Sequence, residues 1–261
     1  FAEAAAIVEE PFVTIGYPHH SLESRTCMAY WENGKCFFHG SSQSQSANDN
    51  GLPRMLNIDP ADLVFINEAT GGGFGSKIGP YPFMAISGNF AKVLNRPLQL
   101  RITREQEFYI GSARSGMQGW IKMGVKADGK VSAVDLVIVN DGGATGGGSG
   151  NSSAQHVTVA YQPENMRYRG ISVYTNTTPR GAQRGPGQNE MASVLAPIAD
   201  KAAKAIGMDR VAFRRMNAID SDGFQGGSQG PVTSAFVREA LDQGKRTFGW
   251  DEKQTLPKQS G

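Results

Sequence analysis

The sequence predicts an α+β fold: mixed sheets with hairpins, one βαβ unit and packed helices. Three observations carry this. The dipeptides Asn33-Gly34 and Asp128-Gly129 each separate a pair of strand-like stretches, as a two-residue hairpin turn does. A short apolar run at residues 63–66, a helical pattern at 81–94 and the alternation Leu98, Leu100, Ile102 follow one another, the order of a βαβ unit with a parallel pair. Met191, Val194, Leu195, Ile198 and Ala202 recur at helical spacing. The 261 residues suffice for one domain, 1–261, divisible into sub-lobes 1–115 and 116–261.

Taken in order, residues 11–25 read as an extended strand and a loop. His19 and His20 are adjacent there and point to different sides of an extended chain, which favours surface or hydrogen-bonding roles over a metal pair. In the first hairpin, a two-residue turn pairs Glu32 with Lys35, sets Cys36 opposite Trp31 and sets Cys27 opposite Gly40. The two thiols are then not opposed, and both read as buried structural cysteines. The polar run 40–46 invites either a solvated loop or a hydrogen-bonding site. The helix at 81–94 carries Phe83, Ile86, Phe90, Val93 and Leu94 at helical spacing, and Asn95-Arg96-Pro97 ends it.

The second hairpin joins residues 120–126 to 130–140. Residues 141–153 form a glycine cluster with no aromatic and no helix start, expected to be flexible rather than cofactor-binding. Residues 178–188 are rich in turns and carry Arg180 and Arg184. A helix begins near Asn189 and stops at Gly207, with Pro197 expected to kink or split it. Asp209 is the expected cap of a helix over 210–217, and Thr233 or Ser234 of one running to about Gly244. The last dozen residues read as frayed.

Composition removes several function classes. The formal charge is +2 with acids and bases interspersed, so neither a nucleic-acid footprint nor an acidic tail is expected. No apolar run approaches the roughly 20 residues of a membrane span, and the first residues lack the pattern of a signal peptide. A soluble chain is expected, cytoplasmic or periplasmic. Its first residue is Phe, compatible with a processed chain, a fragment or a start inside a longer protein. With no CxxC and four histidines at no ligand spacing, no metal site built from this chain's own ligands is expected.

Residues 68–77 hold four glycines in five positions, interrupted by Phe74. Placed between a strand and a helix, such a turn presents backbone N–H groups and the positive end of a helix, suited to an anionic or polar cofactor. Ser76 separates Gly75 from Lys77, so the phosphate-binding GxxxxGK pattern fails, and no frame gives the dinucleotide fingerprint. Taken alone, the stretch is compatible with a tight structural turn or with a cofactor site.

Together with its company it resembles the molybdenum-binding subunit of the xanthine dehydrogenase and aldehyde oxidase family, the molybdenum hydroxylases. Residues 20–25 are similar to that family's PLEPR segment, 41–43 to STQ and 71–77 to GGGFGGK. Residues 182–187 match an arginine-bearing segment, and 205–217 are similar to LGMDPVELRRKN. The resemblance spans almost the whole chain and implies the fold of the first molybdenum-cofactor-binding domain.

The resemblance also implies a molybdopterin with molybdenum, in a mononucleotide or cytosine dinucleotide form. Gly73, Phe74, Gly75, Gln43, Arg184 and Gly185 then lie at the cofactor. Gln43 serves as a donor near the metal's apical oxygen, and Arg184 stands beside the metal and the substrate. Water-derived hydroxylation of an aldehyde or an aromatic N-heterocycle is implied. Ile78 stands where purine-oxidising members carry a glutamate, Ser152 where they carry an arginine, and Pro186 where many have a stacking aromatic, so an aldehyde or a less polar heterocycle is favoured.

The family's general base, a glutamate in a Val-Gly-Glu context on a second molybdenum domain, has no counterpart in these residues. A second chain or segment carrying that glutamate, a [2Fe-2S] subunit and a flavin (FAD) subunit are the implied partners. Other readings are a carbon monoxide dehydrogenase component, against which the position of both cysteines in the first hairpin speaks, a hydroxybenzoyl-thioester reductase component, and a non-catalytic scaffold subunit.

Overall fold

The computed structural model describes residues 1–221, 223–225 and 230–254. Strand β1 (Ala6–Thr14) leads to the hairpin of β2 (Thr26–Glu32) and β3 (Lys35–Gly40), whose register pairs Glu32 with Lys35, Trp31 with Cys36 and Cys27 with Gly40. This is the pairing expected from the Asn33-Gly34 turn. Both cysteines are buried and unbridged, and burial raises each thiol's pKa to about 11.

Helix α1 (Gln45–Leu56) then grows out of the polar run; the Ser44 hydroxyl caps it, accepting from the Ala47 amide at 3.3 Å. Strand β4 (Leu63–Ile66), helix α2 (Pro82–Leu94) and strand β5 (Leu98–Arg101) follow. The sheet order is β4-β3-β2-β5. Strands β4 and β5 are therefore not the hydrogen-bonded parallel pair that the sequence suggests, because α2 carries the chain from one sheet edge to the other. The parallel pair is β3 and β4, joined through α1.

The inward face of α2 also differs from expectation. Phe83, Met84, Ser87, Gly88 and Ala91 are buried, while Ile86, Phe90, Val93 and Leu94 are exposed, Val93 by 81%. Close approach explains the inversion. A Cβ on Gly88 would lie 2.5 Å from Leu56 Cδ2, and the Trp31 indole N–H donates to the Gly88 carbonyl at 2.9 Å, so only small side chains fit there.

After α3 (Arg104–Ile110), strands β6 (Met117–Val125) and β7 (Val131–Asp141) form the second hairpin, turning at Gly129 with φ +95°. Helix α4 (Gly150–Tyr161) crosses to β8 (Asn165–Val173), parallel to β7, and β1 closes the other edge against β6, giving the order β1-β6-β7-β8. The second glycine cluster thus ends in a helix start that its sequence did not reveal.

Helix α5 (Gln188–Ala205) buries Met191, Val194, Leu195, Ile198 and Ala202 as expected and continues unbroken through Pro197, which sits on its exposed side. Asp209 caps α6 (Arg210–Asn217) through the Val211 and Ala212 amides. After a small pairing of β9 (Phe224–Gln225) with β10 (Gly230–Pro231), α7 (Val237–Phe248) starts at Val237. Phe236 precedes it without a side-chain cap, and the helix ends at Gly249, so neither Thr233 nor Ser234 caps it. Trp250–Gln254 form a further turn of helix, α8, in which the Trp250 indole donates to Asp209 Oδ2 at 2.8 Å. The rest of the expected frayed tail, 255–261, lies outside the described residues.

Among the described residues two hydrophobic cores result. One gathers Cys27, Phe38, Leu52, Met84 and Ile102; the other gathers Val8, Ile121, Leu136, Leu195 and Phe213. Among the described residues no helix is long and apolar enough to cross a membrane.

Candidate functional site

The glycine stretch forms a loop between β4 and α2 in which Gly72, Phe74 and Gly75 have φ of +93°, +53° and +109°. The start of α2 is not at its tip: the helix begins at Pro82, so the loop's character comes from its own backbone. Three of its amides are taken by side chains. Gly75 N and Lys77 N donate to Gln43 Oε1 at 2.8 and 3.1 Å, and Gly71 N donates to Glu23 Oε2 at 2.7 Å. The Gln43 carbonyl oxygen is thereby pinned, while its amide nitrogen and the amides of Gly72, Gly73 and Phe74 donate to no protein atom among the described residues. The polar run before α1 is thus a hydrogen-bonding site rather than a solvated loop, and Ser41 and Ser42 are buried within it.

Two buried cations hold the loop from behind. Lys77, fully buried, donates to the Glu23 carbonyl and to Glu23 Oε2 at 3.0 and 2.8 Å. Arg25 pairs with Glu107 in the interior and donates to the Ser76 carbonyl at 2.5 Å. A buried charge needs such partners, so the segment at residues 20–25 serves as the loop's anchor.

The segment 182–187 meets the glycine loop face to face. Arg184 N donates to the Phe74 carbonyl at 2.8 Å, and a Cβ on Gly75 would lie 2.2 Å from the Ala182 carbonyl oxygen, so glycine is the residue that allows this backbone contact. His19 completes the seam: its ring nitrogens lie 2.7 Å from the Ala182 carbonyl and 2.9 Å from that of Ser112, and burial lowers its pKa. This is the hydrogen-bonding role expected for it. His20 packs edge-on against Phe108. Among the described residues no cluster of His, Cys, Asp and Glu could hold a metal ion.

Between the loops lies a cleft of about 530 Å³. Gln43, Gly73, Phe74, Gly75 and Arg184 line it, with Ile78 and Pro186 as apolar walls. Phe74 is 46% exposed, and the exposed Arg184 guanidinium has no partner among the described residues. Gly185, with φ +69°, lies just behind the cleft and supplies a carbonyl to Arg114. Ser152 is elsewhere, in a separate polar cleft with Asn140 and Tyr168. No carboxylate lines the main cleft among the described residues.

The donor set suits a flat, oxygen-rich anionic group: a guanidinium, a side-chain amide, the free backbone N–H groups of Gly73 and Phe74 and an accessible aromatic face. Sequence reasoning did not single out Arg114, Glu107 or Glu190, which hold the two loops. Glu23 and Arg25 belong to a segment it did single out.

Residues 1–218 match the family model described as molybdopterin cofactor-binding domain. The chain is 25% identical over 264 residues to the aldehyde oxidoreductase molybdenum-binding subunit PaoC of Escherichia coli K12, covering 99% of this chain and 35% of that protein. It is 28% identical over 244 residues to the putative xanthine dehydrogenase molybdenum-binding subunit XdhA of the same organism, covering 90% of this chain and 32% of that one. The solved aldehyde oxidoreductase of Desulfovibrio gigas superimposes with a TM-score of 0.86 at 25% identity, covering 99% of this chain and 29% of that chain. The chain therefore spans about a third of the length of the relatives it matches.

Proposed function

The chain belongs to the molybdopterin cofactor-binding domain family, and from that premise we propose that it is one wall of the active site of a molybdenum hydroxylase. The observation that carries this reading is the convergence of Gln43, Phe74 and Arg184, from three distant segments, on one cleft. In this proposal the ring of Phe74 and the free amides of the glycine loop hold the pterin. The remaining donor of Gln43 and the guanidinium of Arg184 face the reacting centre. When bound, the molybdenum centre supplies two-electron oxidation of a substrate carbon with oxygen drawn from water.

Arg184 stabilises negative charge developing on the substrate, and Gln43, its carbonyl pinned by two amides, presents a pre-oriented N–H donor. Ile78 and Pro186 exclude water and offer no polar anchor, so the substrate is an aldehyde or a weakly polar aromatic N-heterocycle. The proton acceptor comes from outside this chain: a glutamate on a second molybdenum domain, whether on another chain or another segment. The pterin is in its mononucleotide or cytosine dinucleotide form, and electrons leave through a [2Fe-2S] subunit, with FAD on a further one.

Elemental analysis and steady-state kinetics on the native assembly test the reading. Phe74→Ala is expected to lower molybdenum content. Arg184→Ala is expected to keep the metal and to reduce kcat by about 100-fold or more. Full metal and full activity in both variants would leave a scaffold role.

A further inference from the structure

The side chain of Arg114 is 4% exposed, and all of its guanidinium nitrogens are engaged. Nε donates to Gln183 Oε1 at 2.5 Å and Nη2 to the Arg184 carbonyl at 2.6 Å. Nη1 donates to the Gly185 carbonyl at 3.2 Å and to Glu190 Oε2 at 2.8 Å. Three consecutive residues are thus tied to one planar cation. Its backbone is fixed as well: Arg114 N donates to the Tyr17 carbonyl at 2.9 Å, and Ala113 on one side bridges both Pro18 and Arg180.

An ion pair made for neutralisation alone has another shape. Arg and a carboxylate pair best edge to edge, with both oxygens engaged. Here only Oε2 of Glu190 is used, shared with the Gly187 amide at 3.0 Å, and the buried Oε1 has no partner among the described residues. The other edges of the guanidinium are turned toward the loop. We propose that Arg114 is a positioning residue: by fixing the carbonyls of Arg184 and Gly185 and the side chain of Gln183, it sets the direction in which Arg184 enters the cleft. The role in turnover rests on the functional reading above. Because Arg184 N donates to the Phe74 carbonyl, the same cation steadies the aromatic wall across the seam.

A lysine at this position keeps the charge and the Glu190 contact but has no rigid fork to span three acceptors. In Arg114→Lys, hydrogen exchange at the Arg184 amide, followed in the cofactor-free full chain, is expected to rise at least about tenfold over exchange in the α5 core. In the native assembly, kcat is expected to fall by about 100-fold with KM changed less than about threefold, the signature of a misplaced group. Gln183→Met leaves the cation and its Glu190 partner in place and should shift both readouts in the same direction by about tenfold, which keeps the proposal testable if the lysine variant does not fold. The kinetics of Arg114→Lys are interpreted after Arg184→Ala, made separately in the same assembly, has been found to lower kcat, so that failure of the functional reading and failure of the positioning role stay distinguishable. Native exchange and native kcat in Arg114→Lys, or exchange that rises equally throughout the chain, would overturn the proposal.

Discussion

Two glycine-rich loops, at residues 68–77 and 141–151, are anchored in different ways. The first is gripped by side chains from remote segments: Gln43, Glu23 and Arg25 reach its backbone, and its own Lys77 is buried beneath it. The second is tied to residues 173–180, by backbone bonds from Gly142 to Val173 and from Ala144 to Thr177 and by the carboxylate of its own first residue. Asp141 accepts from the Gly143 amide at 3.0 Å, the Thr175 hydroxyl at 2.5 Å and Arg180 Nε at 2.8 Å, and the chain then runs directly into α4. Glycine content therefore does not separate a flexible connector from a built wall. Within each loop the glycines differ by what lies against them: Gly75 faces the Ala182 carbonyl, and Gly143 and Gly147 face those of Thr178 and Arg180, backbone that cannot yield, whereas Gly73 and Gly150 face side chains.

The sharpest way to break this comparison is Gly75→Ala. With φ at +109° and the Ala182 carbonyl oxygen in the way, it is expected to destabilise the chain by about 3 kcal/mol, read by denaturant unfolding, and to pull the two cleft loops apart. Asp141→Asn comes next, at about 2 kcal/mol from weakened charged hydrogen bonds. Burial pushes the Asp141 carboxyl upward, but the Thr175 hydroxyl, the Gly143 amide and Arg180 outweigh it and hold its pKa below 3.8. Its contribution is therefore complete above about pH 4 and disappears as pH falls through the depressed value, and the difference between native and Asn variants should shrink over that acid range. Gly150→Ala should matter least. Its Cβ would come within 2.5 Å of the Tyr168 hydroxyl, the tip of a half-buried side chain, and it opens a helix, where alanine is favoured, so stability is expected to change by less than about 1 kcal/mol. A change as large as that of Gly75→Ala would erase the distinction between glycines that face backbone and those that face a side chain.

Local rules read well where a few adjacent residues decide the geometry. The Asn33-Gly34 turn set the pairing of Cys36 with Trp31, and Asp209 capped its helix through two amides. They read poorly where a distant residue decides. Helix α1 escaped because Asn48, a polar residue, occupies its buried face, where it donates to Ser42 Oγ and to the carbonyls of Ser44 and Ile78. The apolar residues of α2 pointed to the wrong face because Leu56 leaves room for nothing larger than glycine at position 88. At the cleft, the resemblance singled out Gln43, Phe74 and Arg184, and the structure brings them together. Arg114 carried no signal, since the contacts that matter for the loop include the backbone carbonyls of Arg184 and Gly185, which every residue owns, and its side-chain partners lie about 70 residues away.

The pairing of β1 with β6 has a consequence for the cleft. Thr14 faces Met117, so residues 15–116, which carry one whole core, leave the second sheet and return to it at the same point. Such an excursion is a closed ring, and the entropy of closing it grows only logarithmically with its length. The clasp matters more than the size of the ring. It lies five residues before His19 and three after Arg114, so strand β1 acts as the latch of a hinge pin: loosening it would let both loops drift apart without altering a single residue that lines the cleft.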